Sequence, residues 1–169
     1  MAYSTVIVND AMNEKKSEIL GYATLLQEVK GTDSKTGLLT RANLYKQLIR
    51  DLARCERYGN KLSIASMRVV GDKEELSQKD TTDLMDDLGN ELAARVRTVD
   101  CAARWSEHEF LVVLPETDAE GARLFLNKVE AIMNESLKQS AHSELRVKTE
   151  IAGWEKGFDM PVILSKVGL

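Results

Sequence analysis

Apolar residues recur every three or four positions in several segments of this chain, which is the spacing of an amphipathic helix. In the segment 42–58, Leu44, Leu48 and Leu52 follow one another at helical spacing, with Tyr45 and Ile49 beside them. This pattern predicts a helix with one buried face. The same spacing predicts three later helices, over 81–99, 118–139 and 161–167.

Runs of apolar and β-branched residues lie between the predicted helices and are typical of strands. We predict strands over 61–70, 101–105, 110–114 and 144–154. The second and third flank the polar residues 106–109, so we expect them to form a tight hairpin. From residue 42 onward the element order is αβαββαβα, which indicates an α/β sandwich with a central mixed or antiparallel sheet flanked by helices.

An N-terminal helical extension is predicted ahead of this domain. Apolar residues recur at helical spacing between residues 9 and 30, and Gly31 ends the pattern; they are Ile19, Tyr22, Leu26 and Val29. We therefore divide the chain into an N-terminal amphipathic helix, 1–31, and a globular domain, 32–169. Such a helix either pairs with its twin in a homodimer or packs on its own domain, and the sequence favours neither.

Composition and charge narrow the possible functions. A chain of 169 residues, 43% of them hydrophobic, suits one globular domain with a core. With 23 basic and 27 acidic side chains the net charge is -4, and the basic residues are dispersed along the sequence, so binding to nucleic acid or to an anionic membrane is not predicted. No apolar run is long enough to cross a bilayer and no secretion signal is present, which predicts a cytoplasmic location.

The two cysteines, Cys55 and Cys101, lie in apolar helical and strand contexts. They have no Cys-x-x-Cys spacing and no neighbouring histidine, so we expect them to pack as small hydrophobic residues without a disulfide or a zinc ion.

Two motifs carry a resemblance to a known family. The run from Ala103 to Phe110, followed by the apolar residues 111–114 and Pro115, resembles the signature hairpin of the GGDEF (diguanylate cyclase) family, in which Glu109 and Phe110 match the last two letters. Some sixty residues earlier, the segment 33–41 is similar to the family's opening motif. It matches at Asp33, Thr36, Gly37, Leu38 and Arg41, and departs at Lys35 and Thr40. The resemblance implies a GGDEF-like fold over 32–169.

Active members of that family join two GTP molecules into cyclic di-GMP with divalent metal held by carboxylates. On the strand that should supply one metal ligand, this chain has Ser66-Met67-Arg68, and His108 stands where the signature has its first acid. Ser106 and Glu107 replace the two glycines that let the hairpin approach the nucleotide. We therefore expect a degenerate domain with no catalytic residues, no metal site and no cofactor.

A different pair of residues is retained. Many family members carry Arg-x-x-Asp five residues before the signature, where it forms an inhibitory site for cyclic di-GMP; here Arg97 and Asp100 have that spacing. A guanidinium can donate to the O6/N7 edge of guanine or to a phosphate, and a carboxylate can accept from its N1–H and N2–H₂. Lys128 falls near the place of a further phosphate-binding arginine. From spacing alone, a surface ion pair is the favoured reading of Arg97 and Asp100, and the offset from the hairpin favours the ligand site instead.

These observations lead to one hypothesis and one alternative. The hypothesis is a catalytically inactive GGDEF-like domain that binds cyclic di-GMP through Arg97, Asp100 and Lys128 and signals to an unidentified protein effector. The alternative is a ligand-independent interaction or dimerisation module. Residual cyclase activity is disfavoured by Ser66 and His108.

Overall fold

The computed structural model of the protein describes residues 31–71 and 78–169, and the side chains of all of these except residues 78–80. The predicted helix 9–30, and with it the predicted homodimer contact, lies outside the described residues. No helix within the described ranges has the length and apolar character needed to cross a membrane.

The predicted order of elements after residue 42 is confirmed. The helices are α1 (Arg41–Tyr58), α2 (Gln78–Ala93), α3 (Ala119–Lys138) and α4 (Met160–Ser165). The strands are β1 (Leu62–Gly71), β2 (Cys101–Ser106), β3 (Glu109–Pro115) and β4 (Leu145–Gly153). The strands form one sheet in the order β2-β3-β1-β4, and every neighbouring pair is antiparallel.

Both faces of the sheet are covered by helices, and the alternation of side chains along each strand divides the core in two. Phe110, Val112 and Leu114 of β3 pack in one cluster with apolar residues of α2 and α3. Leu111 and Val113 point to the opposite face and pack with α1 and α4. Because both faces are buried, β3 is a continuous apolar run instead of an alternating one.

The ends of α1 are set by local capping interactions. Thr40 has extended backbone dihedrals and its side chain accepts a hydrogen bond from the Asn43 N–H at 3.4 Å, which makes it the N-cap. At the other end Gly59 has a φ of 70° and donates its N–H to the Cys55 carbonyl. Gly37, in the turn before α1, has a φ of 72°, a conformation that glycine adopts without strain.

The helix predictions differ from the structure at one boundary, and the buried face of α1 is narrow. Tyr45 and Ile49, which lie beside the buried leucines, have exposed fractions of 45% and 48%; a helix on one side of a sheet buries only a stripe, and Leu44 and Leu48 fill it. The helix expected over 81–99 ends at Ala93, and residues 94–100 form turns.

The cysteines are both free thiols, as expected. Cys55 is buried and Cys101 half-buried, and burial, followed by the nearby Asp51 carboxylate, raises the pKa of each thiol. They serve as small core residues beside α1.

Candidate functional site

The signature hairpin turns at Glu107 and His108, between β2 and β3. The guanidinium of Arg104 braces this turn, donating to the carbonyl oxygens of Ser106 at 3.3 Å and Glu107 at 2.9 Å. The carbonyl of His108 accepts the Val69 N–H at 2.8 Å, which ties the turn to β1. Arg104 therefore acts on the hairpin's own backbone.

The opening motif and the hairpin are brought together, although some sixty residues separate them. Leu39 donates its N–H to the Ala102 carbonyl on β2 at 2.9 Å. Thr36 lies against Gly89 of α2, where an added Cβ would come within 2.8 Å of the Thr36 methyl group. A cleft of about 190 Å³ opens between these segments, with Arg104 and Phe110 in its wall.

An ion pair occupies the place where the family resemblance implies a metal. Arg68 faces Glu109 in the β1–β3 register and donates to one Glu109 carboxylate oxygen from Nε at 3.1 Å and from Nη2 at 2.8 Å. Glu109 is 5% exposed, so it is a buried strand residue and not an exposed turn residue. The Nη2 of Arg68 also donates to the Gly168 carbonyl at 3.3 Å.

Ser66, which also lies where the resemblance implies a metal, is hydrogen-bonded within the protein. The hydroxyl of Ser66 donates to the Val167 carbonyl at 2.8 Å. Within the ranges that the structure describes, no group of three or more histidine, cysteine or acidic side chains is placed to hold a metal ion. These residues do not fit a divalent cation, which needs several oxygen ligands of its own.

Arg97 and Asp100 contact each other directly in the turn between α2 and β2. The Asp100 carboxylate accepts from the Arg97 backbone N–H at 2.9 Å, from Nε at 2.9 Å and from Nη2 at 2.8 Å. The hydrogen bond to Asp100 raises the pKa of the Arg97 guanidinium, which stays charged. The carboxylate is therefore the acceptor that closes this turn.

The two members of the pair differ in access. The side chain of Arg97 is 55% exposed, whereas that of Asp100 has no exposed surface. From the sequence, both side chains were predicted to contact the ligand. In the structure only the guanidinium is within reach of solvent, because both Asp100 oxygens are buried and already bonded.

A cleft of about 360 Å³ opens beside Arg97, between the turn and the start of α3. Nη2 of Arg97 donates across it to the Thr117 hydroxyl at 2.9 Å. On the same cleft Lys61 pairs with Asp118 at 2.8 Å. This hydrogen bond lowers the pKa of Asp118 and raises the pKa of Lys61, so both remain charged near neutral pH.

Lys128 is exposed on α3 and does not line this cleft. Phe125 does line it, and Lys128 follows Phe125 by one helical turn, so both lie on the same side of α3. The structure thus brings Arg97 together with Lys61 and Thr117, which the sequence reasoning missed. The sequence feature that could have identified Lys61 is its position just before β1, opposite the Asp118 cap of α3.

Comparison with known proteins gives three findings. A family model described as "Diguanylate cyclase, GGDEF domain" matches residues 30–155. The chain is 34% identical over 103 residues to the diguanylate cyclase DgcP of Pseudomonas aeruginosa, a match that covers 59% of this chain. The matched part is 15% of the length of that protein.

Solved structures with the same fold include the GGDEF domain of DgcB from Caulobacter crescentus in complex with c-di-GMP, with a TM-score of 0.68 and 16% identity over 82% of this chain and 85% of that one. The diguanylate cyclase SiaD in complex with its activator SiaC from Pseudomonas aeruginosa has a TM-score of 0.67 and 19% identity. The match to SiaD covers 95% of this chain and 64% of the SiaD chain. At these identities the likeness shows the fold.

Proposed function

The chain belongs to the diguanylate cyclase GGDEF domain family, and we propose that it is a catalytically inactive member that serves as a cyclic di-GMP receptor. The observation that supports catalytic inactivity is the Arg68–Glu109 pair. Phosphoryl transfer between nucleotides relies on metal ions that bridge and neutralise the phosphates. A guanidinium bonded to the Glu109 carboxylate, with no second acid on β1, leaves no ligand set for such an ion among the residues that the structure describes.

The inactivity is tested by incubating the protein with GTP and Mg²⁺ and separating the products by chromatography. An active GGDEF cyclase under the same conditions is the positive control. We expect no cyclic dinucleotide from this chain, and its formation above the level of a blank without protein would contradict the proposal.

The receptor half is supported by Arg97. Its guanidinium is held in one orientation by the buried Asp100 carboxylate and is exposed at a cleft that Lys61 also lines. A preorganised arginine loses little conformational entropy when it binds a phosphate or a guanine edge, so fixed geometry favours affinity. In this proposal Asp100 is a positioning residue, Arg97 contacts the ligand, and Lys128 supplies a second positive charge farther along α3.

The size of the cleft sets what it can enclose. Its volume of about 360 Å³ is near the lower end of the range for small-molecule sites, roughly 300–1,000 Å³. We therefore expect part of the cyclic dinucleotide to sit in the cleft and its remainder to lie along α3 toward Lys128. A related domain, that of DgcB, has been solved with c-di-GMP.

Titration calorimetry with cyclic di-GMP tests the receptor. Arg97→Lys keeps the charge that balances buried Asp100 but loses the planar fork, and should weaken binding by about tenfold. Lys128→Ala removes an exposed charge, so it should weaken binding without disturbing the fold. Arg123→Ala on the same helix is the matched control, because Arg123 is also exposed and points to a different side of α3.

Two results would contradict the receptor: no binding by the wild type at about 100 μM ligand, or equal binding by wild type and the Arg97→Lys protein. Circular dichroism of each variant establishes that it is folded.

A ligand-independent interaction module is the second candidate, favoured by the exposure of Tyr45 and Ile49 on α1. Light scattering of the full chain with and without cyclic di-GMP distinguishes the two. Self-association or partner binding that is identical in both conditions supports the second candidate.

A further inference from the structure

The outer surface of α1 carries two parallel rows of exposed residues that the proposed nucleotide site does not use. The basic row consists of Lys46, Arg50, Arg54 and Arg57, spaced four, four and three residues apart. The apolar row beside it consists of Ala42, Tyr45, Ile49 and Ala53. At 1.5 Å per residue the basic row extends over about 17 Å. Cations that look dispersed along the sequence are thus gathered by the helix on one face.

The acidic residues of α1 do little to neutralise the basic row. Asp51 lies on the inner side with its side chain 4% exposed, hydrogen-bonded to Gln47, and approaches Arg54 at 3.7 Å. The Glu56 carboxylate accepts the Gly157 N–H at 3.2 Å. Among the residues that the structure describes, Lys46 and Arg50 form no ion pair.

The apolar row adds a second requirement for a partner. Tyr45 and Ile49 are 45% and 48% exposed on a helix whose buried side is already filled by leucines. Burying apolar surface is favourable, so a partner that covers the Tyr45 and Ile49 side chains binds more tightly than a purely ionic one. The partner must therefore present a line of apolar groups next to a line of negative charges, at the spacing of a helix.

We propose that this face of α1 is a docking surface for an acidic amphipathic helix of a partner protein. Such a helix places apolar residues three and four positions apart with carboxylates alongside, which matches both rows when two helices pack side by side. The proposal is independent of cyclic di-GMP binding and gives a chemical class to the protein partner.

Charge argues against the other occupants. A second copy of the chain docking through the same face would bring two basic rows together, and like charges across an interface are unfavourable. Nucleic acid and anionic membranes are extended polyanions, and beyond a Debye length of about 8–10 Å they respond to the whole chain, whose net charge is -4. A compact acidic helix responds mainly to the local positive row.

Fluorescence anisotropy with two labelled peptides tests the proposal. The probe is a helix-forming peptide of about 18 residues with leucines at helical spacing and glutamates beside them. The control peptide has the same composition in a scrambled order that removes the apolar stripe. We expect the full-length protein to bind the probe with a dissociation constant on the order of 10–100 μM and the scrambled peptide at least tenfold more weakly.

Variants locate the contact on α1. Lys46→Glu with Arg50→Glu should lower affinity at least about tenfold. Arg123→Glu with Arg146→Glu changes the net charge equally at exposed positions of α3 and β4, and should leave affinity within about twofold. Tyr45→Ser with Ile49→Ser tests the apolar row separately, and should also weaken binding.

Each of the following results would overturn the proposal: no probe binding by the wild type, equal binding of both peptides, or equal losses in the α1 and control charge variants. Tighter binding to vesicles containing about 30% phosphatidylserine, or to duplex DNA, would assign the face to a membrane or to nucleic acid instead. Because the assay contains no nucleotide, its failure is separate from a failure of the calorimetry above.

Discussion

The Arg68–Glu109 pair allows a quantitative test of what replaces the metal site. We consider Arg68→Met, which keeps most of the apolar stem and removes the guanidinium. The Glu109 side chain is 7% exposed and that of Arg68 is 42% exposed. The variant therefore leaves a nearly buried carboxylate without the two N–H groups that bond it at 3.1 and 2.8 Å.

The expected loss in the free energy of unfolding follows from the difference in burial between Glu109 and Arg68. Removing one partner of a buried ion pair destabilises by about 3–5 kcal/mol, and the partial exposure of Arg68 lets water replace some of the lost contact, so we expect about 2–3 kcal/mol. Glu109→Gln keeps an oxygen acceptor for Arg68 and should cost about 1 kcal/mol. The double variant removes both charges, and should cost less than the sum of the single changes by about 1–2 kcal/mol.

Urea unfolding of the four proteins, followed by circular dichroism, measures this cycle. An unchanged dependence on urea concentration indicates that the extent of unfolding is the same in each. Lys138→Met is the reference, because Lys138 pairs with Glu135 on the surface and such pairs contribute about 0–1 kcal/mol. If Arg68→Met costs no more than this reference, or if the cycle shows no coupling, Arg68 does not balance Glu109 as argued.

Two other predictions concern the turn at Asp100 and the thiols. Asp100→Ala removes the acceptor for three donors and should lower the free energy of unfolding by about 1–3 kcal/mol in the same urea assay; an unchanged value would show that the carboxylate does not hold the turn. Burial raises the pKa of Cys55 and Cys101 above the ordinary value of 9.0, so thiols in the unfolded chain lose their protons first. Stability should therefore not depend on these thiols below about pH 9 and should fall as the pH rises beyond it. The decline should be smaller in a Cys55→Ser, Cys101→Ser variant, and an equal decline would contradict the assignment.

Periodicity and turn chemistry predict most of this fold, because both depend on residues that lie only a few positions apart in the sequence. The leucine spacing of α1, the Thr40 cap and the hairpin each depend on neighbours along the chain. The end of α2 could not be predicted in this way. Its apolar pattern continues through Val96, whereas the following turn is closed by hydrogen bonds from the Arg97 N–H to the Asp100 carboxylate and from the Asp100 N–H to the Arg97 carbonyl.

Side-chain access is the property that the sequence predicted least well. Arg97 and Asp100 have the same spacing whether they face a ligand or each other, and only the fold determines that the carboxylate is buried while the guanidinium is open. Glu109 gives the same lesson, since its burial depends on the β1–β3 register that places Arg68 opposite it. A motif therefore identifies the residues at a site, and the packing around them determines which atoms can react.

A residue that is retained from a family motif can change its role when the side chains that face it are different. A carboxylate that faces another acid repels it, and a divalent cation between them relieves the repulsion; a carboxylate that faces an arginine is already neutralised and gains little from a metal. Arg68 therefore balances the charge of Glu109, and in the proposed inactive domain this pair acts together with the lack of an acid on β1. In the proposed receptor the Arg97–Asp100 pair has a different use, because the buried carboxylate fixes the guanidinium through Nε and Nη2 while the arginine side chain stays 55% exposed. We expect Asp100→Asn, which keeps the shape but weakens the hold on Arg97, to reduce cyclic di-GMP affinity in the calorimetry although residue 100 does not contact the ligand.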